Sequence, residues 1–314
     1  MAHVHSPPVL PEILVALGVV AVLCVAYGVL VERRAYRLVR RGLAILPSEG
    51  PQALSLLHLS DIHFVRNDPR KAAFLASLPR ADVTVVTGDL LAEPQAVETV
   101  VEALRPVRGR HASWFVLGSN DYYVPRAMNP FRYFVPARRR RRRRARRGRV
   151  AEMRALLAGD GWRELTNVRD EIDLDGLPVE LLGLDDSHIA RQDLRLAPRE
   201  APERFGIAVM HSPDSAPEAV ACGYRLLVAG HTHGGQVRMP FVGALVTNSD
   251  LPRRLASGMI RFDGAFLHVS PGLGTSKYAP FRFLCPPEAT LLELRRAPDT
   301  DPAGDSPARA VQET

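Results

Sequence analysis

Apolar positions along this chain fall into two regimes. From Ile13 to Val31, nineteen consecutive residues, "ILVALGVVAVLCVAYGVLV", carry no charge and leave no polar face. That length matches the roughly 20 residues that cross a hydrocarbon core as a helix. Residues 13–31 are therefore read as one transmembrane helix after a short tail, 1–12. Beyond it, strand-length apolar runs alternate with stretches of helical spacing. "ALSLLHLSDIHF" predicts a strand ending in Asp61-Ile62-His63, and Pro69 to Leu78 a helix. "DVTVVTGDLL" predicts a strand ending in Gly88-Asp89, Pro94 to Leu104 a helix, and "SWFVLGSNDYY" a strand ending at Gly118. Strand, polar tip and helix in repeated order predict parallel strands with crossover helices, where ligands collect beyond the carboxyl ends of the strands.

The second half is richer in strands. "EIDLDGLPVELLGL" reads as a hairpin turning at Asp175-Gly176, and "FGIAVMHSPD" and "YRLLVAGHTH" both run into histidines. The closing strands, "GAFLHVS" and "EATLLELR", predict a second sheet packed on the first. The expected fold class is α/β: a two-sheet β-sandwich flanked by helices over residues 53–295. A basic juxtamembrane linker at 32–52, containing Pro47, Gly50 and Pro51, precedes it, and a disordered polar tail at 296–314 follows. The three cysteines are far apart with no CxxC pair, which excludes a disulfide framework or a structural zinc ribbon as the organising device.

Charge changes the picture locally. The net charge is +7, yet ten of the 41 basic residues lie in "ARRRRRRRARRGR" at 137–149, and the other 31 face 34 acidic residues. A nucleic-acid-binding face spread over the fold is thereby excluded. What remains is one basic run that follows "NPFRYFVP" within an insertion, 122–149, just after the polar end of the third strand; as a solvated loop or as a contact for anionic lipid, it needs no fixed shape. Nucleic acid is a second possible polyanion for it, without base-reading specificity. No Lys or Arg precedes the apolar span, whereas Arg33, Arg34, Arg37, Arg40 and Arg41 follow it. The positive-inside bias then predicts a single-pass protein of the cell membrane with the domain that follows the span, residues 53–295, in the cytoplasm.

The polar residues at strand ends are Asp61, His63, Asp89, Asn120, His211, His231 and His233, and each follows an apolar run. Carboxylate, imidazole and amide together form a mixed oxygen and nitrogen donor set suited to manganese, iron or zinc rather than calcium. Seven ligands exceed what one catalytic zinc uses, but they suit two divalent metal ions sharing a carboxylate.

In this order, "SDIH", "TGD", "GSND", "MHSP" and "AGHTHGG" make the chain resemble the calcineurin-like metallophosphoesterase superfamily over about residues 53–295. The closing "LHVSPGLGTS" and "RFLCPPEATLLEL" look like its bacterial membrane-associated branch, some of whose members act on UDP-diacylglucosamine lipids. The resemblance implies that Asp61, His63 and His233 hold one metal, that Asn120, His211 and His231 hold the other, and that Asp89 bridges them. It further implies a hydroxide between the metals as nucleophile, in line with the leaving oxygen.

The third block departs from the family's pattern, which reads Gly-Asn-His followed by an acidic residue. Here it is Gly118-Ser119-Asn120-Asp121. Alignment on Gly118 and Asp121 puts Ser119 in the ligand place. A one-residue shift makes Asn120 the ligand and leaves Asp121 near the leaving group; the shift is preferred because an amide oxygen is the better ligand. Either way the customary imidazole acid is missing. Asp186 and His188 in "GLDDSH" offer another acid, set against a turn-capping aspartate and a surface histidine. The expected function is membrane-anchored hydrolysis of a phosphodiester or diphosphate, lipid- or nucleotide-linked, with Asp89, Asn120, Asp121 and His231 catalytic. The rival is a membrane-tethered, non-catalytic metal-binding or regulatory protein on the same scaffold.

Overall fold

The computed structural model describes residues 9–124, 146–275 and 278–297. The expected tail residues 1–8, the seven-arginine run and the chain beyond 297 lie outside the described residues. Helix α1 (Val9–Leu30) has 22 residues and so spans about 33 Å. Most of its side chains are exposed, and the span Pro11–Arg34, with an 18-residue stretch of mean hydropathy 2.8, is long and apolar enough to cross a membrane.

Strands β1 (Arg37–Leu46) and β2 (Ala53–Leu59) are followed by helix α2 (Pro69–Ala76), β3 (Val83–Thr87), α3 (Val97–Leu104) and β4 (Ala112–Val116). A one-turn helix α4 (Ser119–Tyr122), then α5 (Val150–Gly159) and the short β5 (Arg163–Glu164), complete this half. The other half holds β6 (Val168–Leu174), β7 (Leu177–Leu184), β8 (Phe205–Met210), α6 (Ala216–Ala221) and β9 (Leu226–Ala229). A small ribbon of β10 (Arg238–Met239) and β11 (Gly243–Ala244) precedes β12 (Gly258–Phe262), β13 (Ala265–Val269) and β14 (Glu288–Arg296).

Two six-stranded sheets result, in the orders β1-β14-β2-β3-β4-β5 and β12-β13-β9-β8-β7-β6. Between them pack Leu56, Val85 and Trp114 of the first and Leu181, Ile207 and Val228 of the second. Leu75, Val100 and Leu157 of α2, α3 and α5 cover the outer face of the first sheet, while Ala219 of α6 joins the cluster outside the second. This burial on both faces explains why "VTVVT", "FGIAVM" and "LLVA" are continuous apolar runs, buried at every position, rather than alternating ones. The β6–β7 hairpin turns at Asp175 and Gly176, both with positive φ, as the sequence predicts.

Two expectations are corrected. The stretch read as a linker, 32–52, contains β1, which pairs in parallel with β14 at the sheet edge. Its arginines mask a strand packed on both faces: Leu43 and Leu46 join the core between the sheets, Leu38 packs against the cluster outside the first sheet, and Arg37 and Arg40 reach Glu288 and Glu293 across the ladder at 2.8 and 3.1 Å. Nor does β14 belong to the second sheet. It lies in the first, antiparallel to β2, a choice that hydrophobic pattern alone does not make.

The second sheet also carries a buried ion pair. Arg199 Nε meets Glu180 Oε2 at 2.8 Å with both side chains nearly inaccessible. Burial favours the neutral acid, but Arg199 and the Glu200 backbone N–H outweigh it and lower the Glu180 pKa. Removing one partner strands the other charge, so Glu180→Ala is expected to cost about 3–5 kcal/mol. The apparent melting temperature of the detergent-solubilised chain should fall by roughly 6 °C or more; an unchanged melting temperature would refute this.

Candidate metal centre

Strands β2, β3 and β4 run parallel, as do β7, β8 and β9, so six carboxyl ends carry the chemistry. Asp61 and His63 follow β2, Asp89 follows β3, Asn120 follows β4, Asp186 follows β7, His211 follows β8, and His231 and His233 follow β9. Contacts across the sandwich bring the two sets together: Asp61 Oδ2 accepts from the His231 backbone N–H at 2.9 Å, and His211 Nδ1 meets the Thr87 carbonyl at 2.6 Å.

Five of these residues occupy the left-handed region: Asp61, His63, Asp89, His231 and His233, with φ from 45° to 69°. Such conformations cost on the order of 1–3 kcal/mol each and persist only where the surroundings impose them. The imposition is visible. Lys71, fully buried, donates to the carbonyls of Ile62 and His63 at 2.7 and 3.2 Å, and buried Arg282 donates to those of Pro271, Gly272, Gly274 and Cys285. At Gly230 a Cβ would run into Ser60 Oγ and Asp61 Oδ2, so only glycine lets β9 pass that close.

The donor atoms form overlapping groups. In one, His63 Nε2 and His233 Nε2 face each other at 3.2 Å, with Asp61 Oδ1 3.5 Å from His233 and Asp89 Oδ2 3.6 Å from His63. In the other, His211 Nε2 lies 3.3 Å from His231 Nδ1 and 3.7 Å from Asp89 Oδ1. Two atoms each about 2.1 Å from one ion stand roughly 3–3.5 Å apart, so these spacings are those of ligands around a first-row cation. Asp61 Oδ1 is buried without a hydrogen-bond partner among the described residues, while its Oδ2 is taken by Ser60 Oγ and the His231 N–H. The residues fit the divalent ions that the donor types imply.

Electrostatics agree with that fit. Burial pushes His63 and His231 down to about 4, holding both as neutral imidazoles. Burial also opposes charge on His211, but Asp89, Asp186 and Asp61 outweigh it and raise its pKa to about 10. A proton there partly balances three carboxylates, a role that cations take over when they bind. Asp89 is held low by His211 and His63 despite its burial.

All seven expected ligands lie in this cluster, though the third block behaves differently from its expectation. Asp121 does not face a leaving group: Oδ1 accepts from Leu90 and Leu91 N–H at 2.9 and 3.2 Å, and Oδ2 from Gly118 N–H at 3.0 Å. It closes the turn after β4, and burial together with Asp89 pushes its carboxyl up to about 7. The Asn120 backbone N–H donates to Asp89 Oδ1 at 2.8 Å, and its side-chain amide donates to Asp89 Oδ2. His188, expected at the surface, is partly buried, and its ring centre lies 4.5 Å from that of His231. Asp186, read as a turn cap, does accept from His188 N–H at 2.8 Å. It also groups with His211 and His231, their ligand atoms all within 4.8 Å of one another. Its position after an apolar strand was the available signal. Lys71 and Arg282 left no such signal.

Two stacked sheets delivering carboxylates and imidazoles to one edge from parallel strands define a metallophosphoesterase, a hydrolase of phosphoric esters. The family model of the calcineurin-like phosphoesterases matches residues 54–235, and the chain belongs to that family. It is 26% identical over 245 residues to the uncharacterized metallophosphoesterase YkuE of Bacillus subtilis, covering 76% of each chain. It is 28% identical over 256 residues to a bovine transmembrane protein with metallophosphoesterase domain, covering 78% of this chain and 54% of that one. Among solved structures, the phosphopantetheinyl hydrolase PptH of Mycobacterium tuberculosis aligns with a TM-score of 0.40 at 12% identity, over 74% of this chain and 92% of that one.

Proposed function

We propose that this phosphoesterase is a membrane-anchored, two-metal enzyme that cleaves a phosphodiester or diphosphate bond on a lipid- or nucleotide-linked substrate. The observation that carries the reading is the position of Asp89, whose two oxygens face different histidines, His63 and His211. Two divalent ions there would supply a water acidic enough to attack phosphorus near neutral pH and would polarise the phosphoryl oxygens. The chain's own groups orient that chemistry. Asn120 holds the shared carboxylate from both its backbone and side chain. His211 Nδ1–H donates to the Thr87 carbonyl and His231 Nε2–H to the Asn248 carbonyl at 3.1 Å, turning Nε2 of the first and Nδ1 of the second inward.

Contacts at the foot of α1 support the membrane part. Gly28 O accepts from Arg282 N–H, Tyr27 packs edge-on against Phe283, and buried Glu32 accepts from the N–H groups of Leu284 and Cys285. Cys285 Sγ in turn touches the His233 carbonyl at 3.4 Å. The apolar helix therefore ends one contact away from a ligand loop, and Arg33, Arg34 and Arg37 just beyond it favour a cytoplasmic site. Phe283 also pairs with the base of the β10–β11 ribbon, whose tip presents fully exposed Phe241 beside exposed Val242. Such a tip suits the headgroup layer next to the helix. The bovine relative is likewise named a transmembrane protein.

The test is metal analysis of the full chain in detergent, with turnover measured on bis(4-nitrophenyl) phosphate, cyclic nucleotides and lipid-linked diphosphates. Two ions per chain and turnover of the diester or diphosphate are expected; one ion, or cleavage of monoesters alone, refutes the reading. For the membrane part, Phe241→Ser with Val242→Ser should slow hydrolysis of a vesicle-borne diacyl aryl phosphodiester about tenfold, the loss expected for about 1.4 kcal/mol of apolar burial. Soluble diester turnover should not change. Equal loss on both substrates would place the tip in the active site instead of the bilayer.

A further inference from the structure

The donor sets on the two sides of Asp89 are unequal if only the seven strand-end residues expected from sequence are used. The first side has a carboxylate of its own, Asp61, besides two imidazoles. The second has His211 and His231, and the residue expected to complete it, Asn120, is turned elsewhere. Its amide donates to Asp89 Oδ2, the oxygen on the His63 side. An N–H donor aimed at a carboxylate leaves no lone pair for a cation at that position.

Asp186 supplies what is lacking. It is fully buried, and its backbone N–H is held by Asp185 Oδ1 at 2.8 Å. Oδ1 is engaged by the His188 N–H, which fixes the side chain, whereas Oδ2 has no hydrogen-bond partner among the described residues. A buried carboxylate oxygen left unsatisfied costs more than most folds retain without a compensating ligand. Its neighbours are two imidazoles whose outer nitrogens are already committed to backbone carbonyls, leaving His211 Nε2 and His231 Nδ1 for the interior. A carboxylate oxygen of Asp186 and one ring nitrogen of each of these histidines all lie within 4.8 Å of one another.

We infer that Asp186 is the carboxylate ligand of the second metal position, binding a divalent cation through Oδ2 together with His211, His231 and the shared Asp89. Each half of the centre then has the same donors: one carboxylate of its own, two imidazoles and one oxygen of Asp89. Three carboxylates face two divalent ions, against two if the third block supplied a neutral amide. The additional anion lowers the residual positive charge of the loaded centre and favours oxygen-preferring ions such as manganese at the second position.

The inference rests on the two-metal reading, and the experiment separates the two. Equilibrium dialysis of the detergent-solubilised full chain against Mn²⁺, with metal counted per chain, is compared for the parent and Asp186→Asn. Asparagine keeps an oxygen for the His188 N–H and replaces Oδ2 by an amide nitrogen. The parent should bind two ions, and Asp186→Asn should keep one while losing at least about tenfold in affinity for the other. Asp186→Cys loaded with Co²⁺ should show a thiolate-to-cobalt charge-transfer band that the parent lacks, a gained signal that a disturbed turn does not produce. A parent that binds fewer than two ions overturns both readings. A parent with two ions, together with an Asp186→Asn variant of unchanged affinity and an Asp186→Cys variant without the band, overturns this one alone.

Discussion

Asp89→Ala is expected to empty both halves of the centre at once and to lower hydrolysis by on the order of 10³ or more, above the loss from removing one preorganised electrostatic group. The size follows from position. Asp89 Oδ2 stands 3.6 Å from His63 Nε2 and Oδ1 stands 3.7 Å from His211 Nε2, so one truncation removes an oxygen from each group. It also releases Asn120, whose backbone and side chain are both tied to that carboxylate. By contrast, His231→Ala and His233→Ala each touch one group and should leave the other ion bound. Metal per chain and turnover of a soluble diester, measured on the same purified samples, decide the matter. If Asp89→Ala kept two tightly held ions and normal turnover, the shared-carboxylate geometry would have no functional meaning.

The carboxyl-end placement of this centre was legible in the chain because each ligand follows a run that is buried in the sheet. A strand such as "LLVA" that ends in Gly230-His231-Thr232-His233 has no structural need for two imidazoles, and the sequence pattern exposed that excess. What pattern could not supply was the orientation of side chains within a block. Spacing left Ser119 and Asn120 as alternatives for one place. Geometry anchors the block at its ends, with Asp121 folded back on Gly118, and leaves Asn120 resting on Asp89. Asp186 was legible as a turn cap, which it is, but a carboxylate has two oxygens and sequence does not say what the second one does. Arg282 was invisible for another reason: its partners are four backbone carbonyls, and no residue type advertises those. The edge strand β1 was missed because Arg33, Arg34, Arg37, Arg40 and Arg41 give its start the composition of a basic linker, although Leu38, Leu43 and Leu46 among and beyond them pack into the cores on its two faces.

The third block sets the second large expectation, a steep dependence of rate on the leaving group. Cleavage requires a proton, or a stable anion, on the departing oxygen, and general acid help is worth about 10²–10⁴. At the turn after β4 the side chains are a hydroxyl, an amide and a carboxylate, Ser119, Asn120 and Asp121. The amide is spent on Asp89 and the carboxylate on three backbone N–H groups, so neither is placed to protonate an alkoxide. Phosphates and phenolates leave without that help, whereas alkoxides do not. Aryl phosphodiesters and diphosphates should therefore be cleaved about 10²–10⁴ times faster than alkyl phosphodiesters under kcat/KM conditions, beyond the difference in their uncatalysed rates. Asn120→His places an imidazole where the amide sits over Asp89 and should narrow that ratio by raising the alkyl rate, provided both ions stay bound. Rates of a series of substituted phenyl and alkyl esters, with metal counted for each variant, give the slope. A slope no steeper than that of the uncatalysed reaction would mean that another group already protonates the leaving oxygen, and His188, packed on His231, would be the first residue to replace.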